Sequence, residues 1–263
     1  MLIEFIKNSV KGCLLAFQLL TSIPIRVQLG WNENLAKFSV GFYPFTGLVL
    51  GGLLSMQAYV LLNFTSISVL MITAWLITFT FIYSGGLHLD GWADFSDAIF
   101  SRQSLERKLE IMKDSRVGAF GVLSLLVLIG WKFLFVYEIL QSPLNLFWFL
   151  LVPFLSRLVM GGLIVVGKFA RNEGMAIALK PAQTTSVKWV YTLWIVATFV
   201  VAWMNDSASF IIIMLAGFFF ISWLIFSYKQ IKGITGDTVG AGTEGSETFL
   251  WGMIWMLSSF GMV

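Results

Sequence analysis

The distribution of lysine and arginine constrains this chain more than any other feature. Seven mostly apolar stretches, roughly 40–62, 66–84, 118–140, 144–166, 188–204, 208–228 and 248–263, are candidates to cross a bilayer as helices. Of the 17 Lys and Arg residues, Lys132 and Arg157 fall inside these stretches. The other 15 all belong to one side of a seven-span arrangement, in segments 1–39, 85–117, 167–187 and 229–247 or at the helix ends beside them. The opposite side receives tight turns. By the positive-inside rule the basic side is cytoplasmic. Only 12% of residues are charged, against about 25% in a soluble domain. The expected fold is therefore an all-α polytopic membrane protein, a single domain over 1–263 with about seven transmembrane helices. Segment 1–23, stopped by Pro24, has too short an apolar core to span and reads as an interfacial or re-entrant helix.

Several function classes drop out. The basic residues form no run that would suit nucleic acid. Cys13 is the only cysteine, so no intramolecular disulfide or cysteine-based metal cluster forms, and its apolar setting suggests a packing thiol. The short apolar run near the N-terminus is followed by no small-residue cleavage pattern, and it is expected to stay in the chain. A transporter or channel is the second reading, favoured by glycine-rich breaks and the intramembrane Arg157. It is opposed by the gathering of polar residues on one face, since a pore needs them along its length.

Segment Ser84–Gly121 carries six carboxylates and five basic residues. Asp90, Asp94 and Asp97 are spaced i, i+4, i+7, which on a helix puts them on one face. Like charges at that spacing repel, more so where water is scarce. A hard divalent cation such as Mg²⁺, with oxygen ligands, would relieve them. The bland alternative is a solvated acidic face, but Trp92, Phe95, Ile99 and Phe100 interleave with the acids and place the segment at the membrane interface. Further on, "SLERKLEIMKDSR" reads as a cytoplasmic amphipathic helix with Leu105, Leu109 and Met112 on its apolar side. Glu106 and Glu110 suit pairing with Arg107, Lys108 or Lys113. Lys113 and Arg116 flank Asp114 at a glycine-marked loop end, where they could hold phosphate while Asp114 adds a metal ligand.

Two other loops match this chemistry. "KGITGDTVGAGTEGSE" sets Asp237, Glu244 and Glu247 among glycines and hydroxyl residues, including Thr235 and Thr238, which could offer N–H and O–H groups to phosphate. "KFARNEGM" contributes Lys168, Arg171 and Glu173. The expected site segments are thus 84–121, 168–175 and 232–247. Asp90, Asp94 and His88 are the expected catalytic groups, and Lys113, Arg116, Arg171, Thr235 and Thr238 the phosphate-binding ones. Asp90, Asp94, Asp97, Asp114, Asp237 and Glu244 are the expected metal ligands. His88, the only histidine, could ligate metal, donate to phosphate, act as a base or make a plain interfacial hydrogen bond. Arg157 could point to the cytoplasmic site. Lys132 has no assigned function beyond snorkelling or pairing with Glu138.

In this order, "GGLHLDGWAD", "LEIMKDSRVGAFG", "ARNEGM" and "TGDTVGAGTEGSE", supported by "LTSIPI" and "FYPFTGLVLGG", resemble the cobalamin synthase family, the adenosylcobinamide-GDP ribazoletransferases. The resemblance covers essentially the whole chain. It implies a multispanning, Mg²⁺-dependent enzyme of the cytoplasmic (inner) membrane with its active site facing the cytoplasm. The implied reaction is the last joining step of adenosylcobalamin assembly. The ribose 3'-hydroxyl of α-ribazole, or of its 5'-phosphate, attacks the cobinamide-bound phosphorus of adenosylcobinamide-GDP, and GMP leaves. Partners implied are these substrates and the lipid bilayer, with self-association or a complex with other cobalamin-assembly enzymes left open. The chain departs from the usual family pattern at Trp92, where a smaller apolar residue is usual, and at Gly242 and Thr243, which replace a bulkier pair. CDP-alcohol phosphotransferases catalyse an analogous displacement, but "DGWAD" lacks the arginine and the second Asp-Gly of their motif.

Overall fold

The structure, a computed structural model, describes residues 2–142, 146–205 and 207–261. Twelve α-helices account for most of these residues: α1 Leu2–Leu20, α2 Glu33–Gly41, α3 Tyr43–Phe64, α4 Val69–Ser84, α5 Leu87–Phe100, α6 Leu105–Ile111, α7 Ala119–Gln141, α8 Phe147–Val166, α9 Met175–Ala178, α10 Thr185–Asn205, α11 Ser207–Ile231 and α12 Gly236–Ser259. Helices α3, α7, α8, α10 and α11 are long and apolar enough to cross a membrane. They fall where five of the seven apolar stretches were expected, although Leu144 and Asn145, at the start of one, and Asp206 lie outside the described residues.

Two expected spans differ. The stretch at 66–84 becomes α4, which breaks at Gly85 and Gly86, both at positive φ, and continues as α5 at an angle of 89°. Glycine relieves the steric cost of that left-handed corner. Helix α5 is too short and too acidic to cross alone, so it leaves the direction of the bundle. The stretch at 248–263 begins 12 residues earlier, at Gly236, and its glycine-rich first half is helix rather than loop. A capping box starts it: the Thr235 hydroxyl accepts from the Thr238 N–H at 3.2 Å, and the Thr238 hydroxyl accepts from the Thr235 N–H at 2.7 Å.

Packing explains why so many glycines survive in a helix, each at a cost of about 1 kcal/mol relative to alanine. A Cβ on Gly91 of α5 would come 2.9 Å from the Asp237 carbonyl oxygen of α12. Helices α5 and α12 therefore cross with backbones in contact. The same device joins α3 to α8, where a Cβ on Gly47 or Gly51 would strike the Pro153 carbonyl at 2.5 Å or the Leu150 Cα at 2.7 Å. Small residues four apart let two membrane helices approach this closely. Helix α8 is the hub, with 78% of its apolar window buried against 22–33% for the other four apolar spans.

Helix α1 runs continuously over Leu2–Leu20, is not among the helices apolar enough to span, and exposes Ile3, Phe5, Ile6 and Val10. Its Cys13 thiol is free and only half-buried. The amphipathic helix appears as α6, capped by Ser104, with Glu110 paired to Arg107.

Candidate functional site

The polar segments meet at one end of the bundle. Residues 167–171 and 232–235 run side by side, bridged at Phe169 and Ile234, and the Ser22 N–H donates to the Tyr83 carbonyl at the end of α4. Lys113 of the α6–α7 connection pairs with Glu173. Arg171 pairs with Asp237, tying the segment before α9 to the first turn of α12. Between these elements lies a cavity of ≈ 210 Å³. Its rim carries Asp90, Arg171, Glu173 and Asp237, and its inner wall is mainly apolar, with Met160, Ile164 and Val239 almost fully buried beside the buried, hydroxyl-bearing Tyr43 and Thr235.

Asp90 is exposed at the rim. Asp94, one helical turn further along α5, is half-buried, and its carboxyl is pushed up to about 7. Burial is the largest cause, followed by the negative charges of Asp90, Asp237 and Asp97, with Arg171 opposing them. The anticipated crowding of acids is therefore real, but its third member comes from α12. Asp97 is instead turned the other way, where its carboxylate accepts from the N–H groups of Gly118 at 2.7 Å and Gly121 at 2.8 Å. It caps the positive end of α7. A Cβ on Gly118 would sit 2.5 Å from its oxygen, which accounts for the glycines of "VGAFG".

Other expected site residues are also placed elsewhere. Asp114 is held by the Arg116 guanidinium at 2.6 Å and by the Arg116 N–H at 3.0 Å. These hydrogen bonds lower its carboxyl to about 2. The two side chains answer each other at the surface, away from the cavity wall. Thr238 is fully buried in the capping box and offers no free hydroxyl, whereas Thr235 reaches the cavity and donates to Asp237 at 3.3 Å. Lys113 does not line the cavity but is tied to the rim residue Glu173, whose carboxyl it holds below its ordinary value.

Glu244 is no metal ligand at the rim. It lies within α12 and pairs at 2.5 Å with Lys132 of α7. Lys132 also reaches Glu247 at 3.4 Å, not Glu138, and Arg157 of α8 contacts Glu247 at 2.5 Å. Ser156 bridges, accepting from Arg157 at 2.8 Å. Two cations and two anions thus neutralise one another at 1–5% side-chain exposure. Reading the segment as a loop concealed this quartet; read as a helix, Glu244 and Glu247 share a face at i, i+3 and supply the partners two intramembrane cations require.

His88 is 2% exposed, lines the cavity, and leaves both ring nitrogens without a partner. Trp92 stacks on Trp223 at 6.3 Å, and a Cβ on Gly242 would strike the Trp223 indole nitrogen at 2.7 Å. The Trp92–Trp223 stack thus presses against a position left without a side chain. Among the described residues no three His, Cys, Asp or Glu side chains form a ready-made metal cage.

Fold and site together define a polytopic helical membrane protein with an acid-rich, arginine-bearing pocket at one end of its bundle. The chain belongs to the cobalamin-5-phosphate synthase family, whose family model matches residues 12–255. A relative from Halalkalibacterium halodurans, named adenosylcobinamide-GDP ribazoletransferase, is 44% identical over 254 residues, covering 95% of this chain and 97% of its own. Relatives of the same name from Geobacillus sp. and Geobacillus kaustophilus are 40% and 38% identical, covering 98% and 96% of this chain and 100% and 98% of their own. No solved structure matches it.

Proposed function

We propose that this chain joins adenosylcobinamide-GDP to α-ribazole or its 5'-phosphate. The cobinamide-bound phosphorus passes to the ribose 3'-hydroxyl and GMP is released. Family membership is the basis, and the observation that carries the mechanism is the gathering of Asp90, Asp237 and Arg171 in the cavity wall, with Asp94 on α5 close enough to feel the charge of all three. The reaction needs phosphate charge neutralised and a hydroxyl aligned with the leaving group.

Arg171 and Lys113 supply fixed positive charge to the diphosphate. Asp94, with a carboxyl near neutrality, is suited to take the proton of the attacking hydroxyl on its carboxylate oxygen. Asp90 and Asp237 fit Mg²⁺ by donor type and by the like-charge strain they share with Asp94 without it. That ion takes one or two carboxylates and completes its shell with water and substrate phosphate, which suits a site lacking a full protein cage. Bound there, it would neutralise charge on the phosphates.

Incubating the purified protein with Mg²⁺, adenosylcobinamide-GDP and α-ribazole should yield the joined corrinoid and GMP by mass spectrometry. Absence of both products from folded protein would refute the reading. The pocket end, rich in loop lysines and arginines, faces the cytoplasm in this proposal. Ser104→Cys and Lys232→Cys should then resist an impermeant thiol reagent in intact cells and react after lysis. Labelling of either in intact cells would reverse the orientation.

A further inference from the structure

We propose that His88 recognises the nucleophile's base: the apolar interior of the cavity holds the bicyclic ring of α-ribazole, and the imidazole donates a hydrogen bond to its one unsubstituted ring nitrogen. This rests on the function proposed above and assigns one substrate to one part of the site.

The cavity has two chemistries. Its rim is charged, while Leu20, Tyr43, Met160, Ile164, Leu179 and Val239 line it at 1–7% exposure. A buried imidazole whose nitrogens find no partner in the protein is costly unless a ligand or an ordered water completes it. The charges nearest to His88 in its field, Arg157, Glu247 and Lys132, are already engaged with one another. His88 and Asp90 lie two residues apart and do not share a face of α5, which separates the ring from the acids.

Of the two substrate bases, guanine presents donors and acceptors on two edges and needs a matching set of polar groups. Dimethylbenzimidazole presents two methyl groups, a fused aromatic face and, once joined to ribose, a single acceptor nitrogen. A largely apolar wall, whose buried polar groups are the His88 ring, the Tyr43 hydroxyl and a Thr235 hydroxyl already engaged with Asp237, matches the second better than the first. Seated this way, the ribose lies toward the rim, where Asp90, Asp237 and Arg171 stand.

The test measures binding of α-ribazole to the full-length protein in detergent by calorimetry, without corrinoid and without Mg²⁺. It is repeated with the 5,6-dimethylindole riboside, in which a C–H replaces the acceptor nitrogen. The wild type should bind the indole analogue about tenfold more weakly. His88→Leu should bind both compounds alike, at the level of the wild type with the indole. Equal affinity of the wild type for both compounds would overturn the proposal without needing any variant, as would persistent discrimination by folded His88→Leu. Turnover of adenosylcobinamide-GDP by the same preparation separates the failures. Product without discrimination sinks only the base assignment, whereas neither product nor binding sinks the proposed function and this inference together.

Discussion

Two groups of charges sit within a few turns of one another on α5, α7, α8 and α12, and they are built on opposite principles. In the buried quartet Lys132, Arg157, Glu244 and Glu247 balance two against two and are shielded from bulk solvent. At the rim, Asp90, Asp94 and Asp237 outnumber Arg171, and Asp94 carries the strain in its raised carboxyl. A closed set of charges holds helices together. An unbalanced set near solvent is available to a cation or a phosphate. The difference teaches that residue type alone does not mark a site here; incomplete compensation does.

The largest effect should come from breaking the balanced set. Glu247→Gln leaves Arg157 without a counter-charge in the bundle and should destabilise the protein by about 3–5 kcal/mol, seen as loss of folded material in detergent melting curves. Adding Arg157→Met restores the charge count and should recover much of the loss, which no purely catalytic role for Glu247 explains. At the rim the expected signature is reversed. Asp94→Asn should lower turnover on the order of 10²–10⁴-fold while the protein stays folded. A variant with full activity and an unchanged response to Mg²⁺ would return the acids to a solvated face.

The rim also makes a pH prediction. Asp94 ordinarily titrates at 3.8 and in the fold at about 7. Between these values the folded state keeps a proton that the unfolded state has released. Metal-free stability must therefore fall as pH rises through that window. Asp94→Asn should flatten this part of the melting-temperature profile, and an equally steep profile in the variant would remove Asp94 as its source.

Smaller effects follow at the edges of each group. Asp97→Ala should cost about 1–2 kcal/mol as the cap of α7 is lost, with a normal response to Mg²⁺ in the folded fraction. Lys113→Ala should raise KM for the nucleotide substrate about tenfold with little change in kcat. Arg116→Ala should change KM less and leave the melting temperature alone, because its guanidinium is turned toward Asp114 at the surface. Equal KM effects from both would put the α6–α7 loop nearer the diphosphate than the Lys113–Glu173 pair suggests.

Much of this organisation was legible in the residues. Apolar length located five spans, and the one-sided lysines and arginines anticipated that 84–121, 168–175 and 232–247 would gather at one end, although Glu244 and Glu247 of the last segment lie buried in the bundle instead. The i, i+4 spacing of Asp90 and Asp94 does put them near one another on α5, where Asp90 adds to the charge felt by Asp94. Composition misled at 236–247, because glycine and threonine read as loop when nothing shows the backbone they must touch. That one misreading hid the start of α12, the partners of Lys132 and Arg157, and the true place of Glu244. Asp97 was obscured for another reason: a helix N-terminus 21 residues away is not visible as a partner in local spacing.

The quartet also sets an order of events during synthesis. Helices α7 and α8 bring Lys132 and Arg157 into the bilayer roughly a hundred residues before α12 delivers Glu244 and Glu247. Until then two cations wait without counter-charges, held by the insertion machinery, by lipid phosphates or by water drawn in from the interface. Arrival of α12 is the step that makes the earlier helices fit to remain in lipid. A chain that stops short of it leaves Lys132 and Arg157 unpaired within the apolar helices.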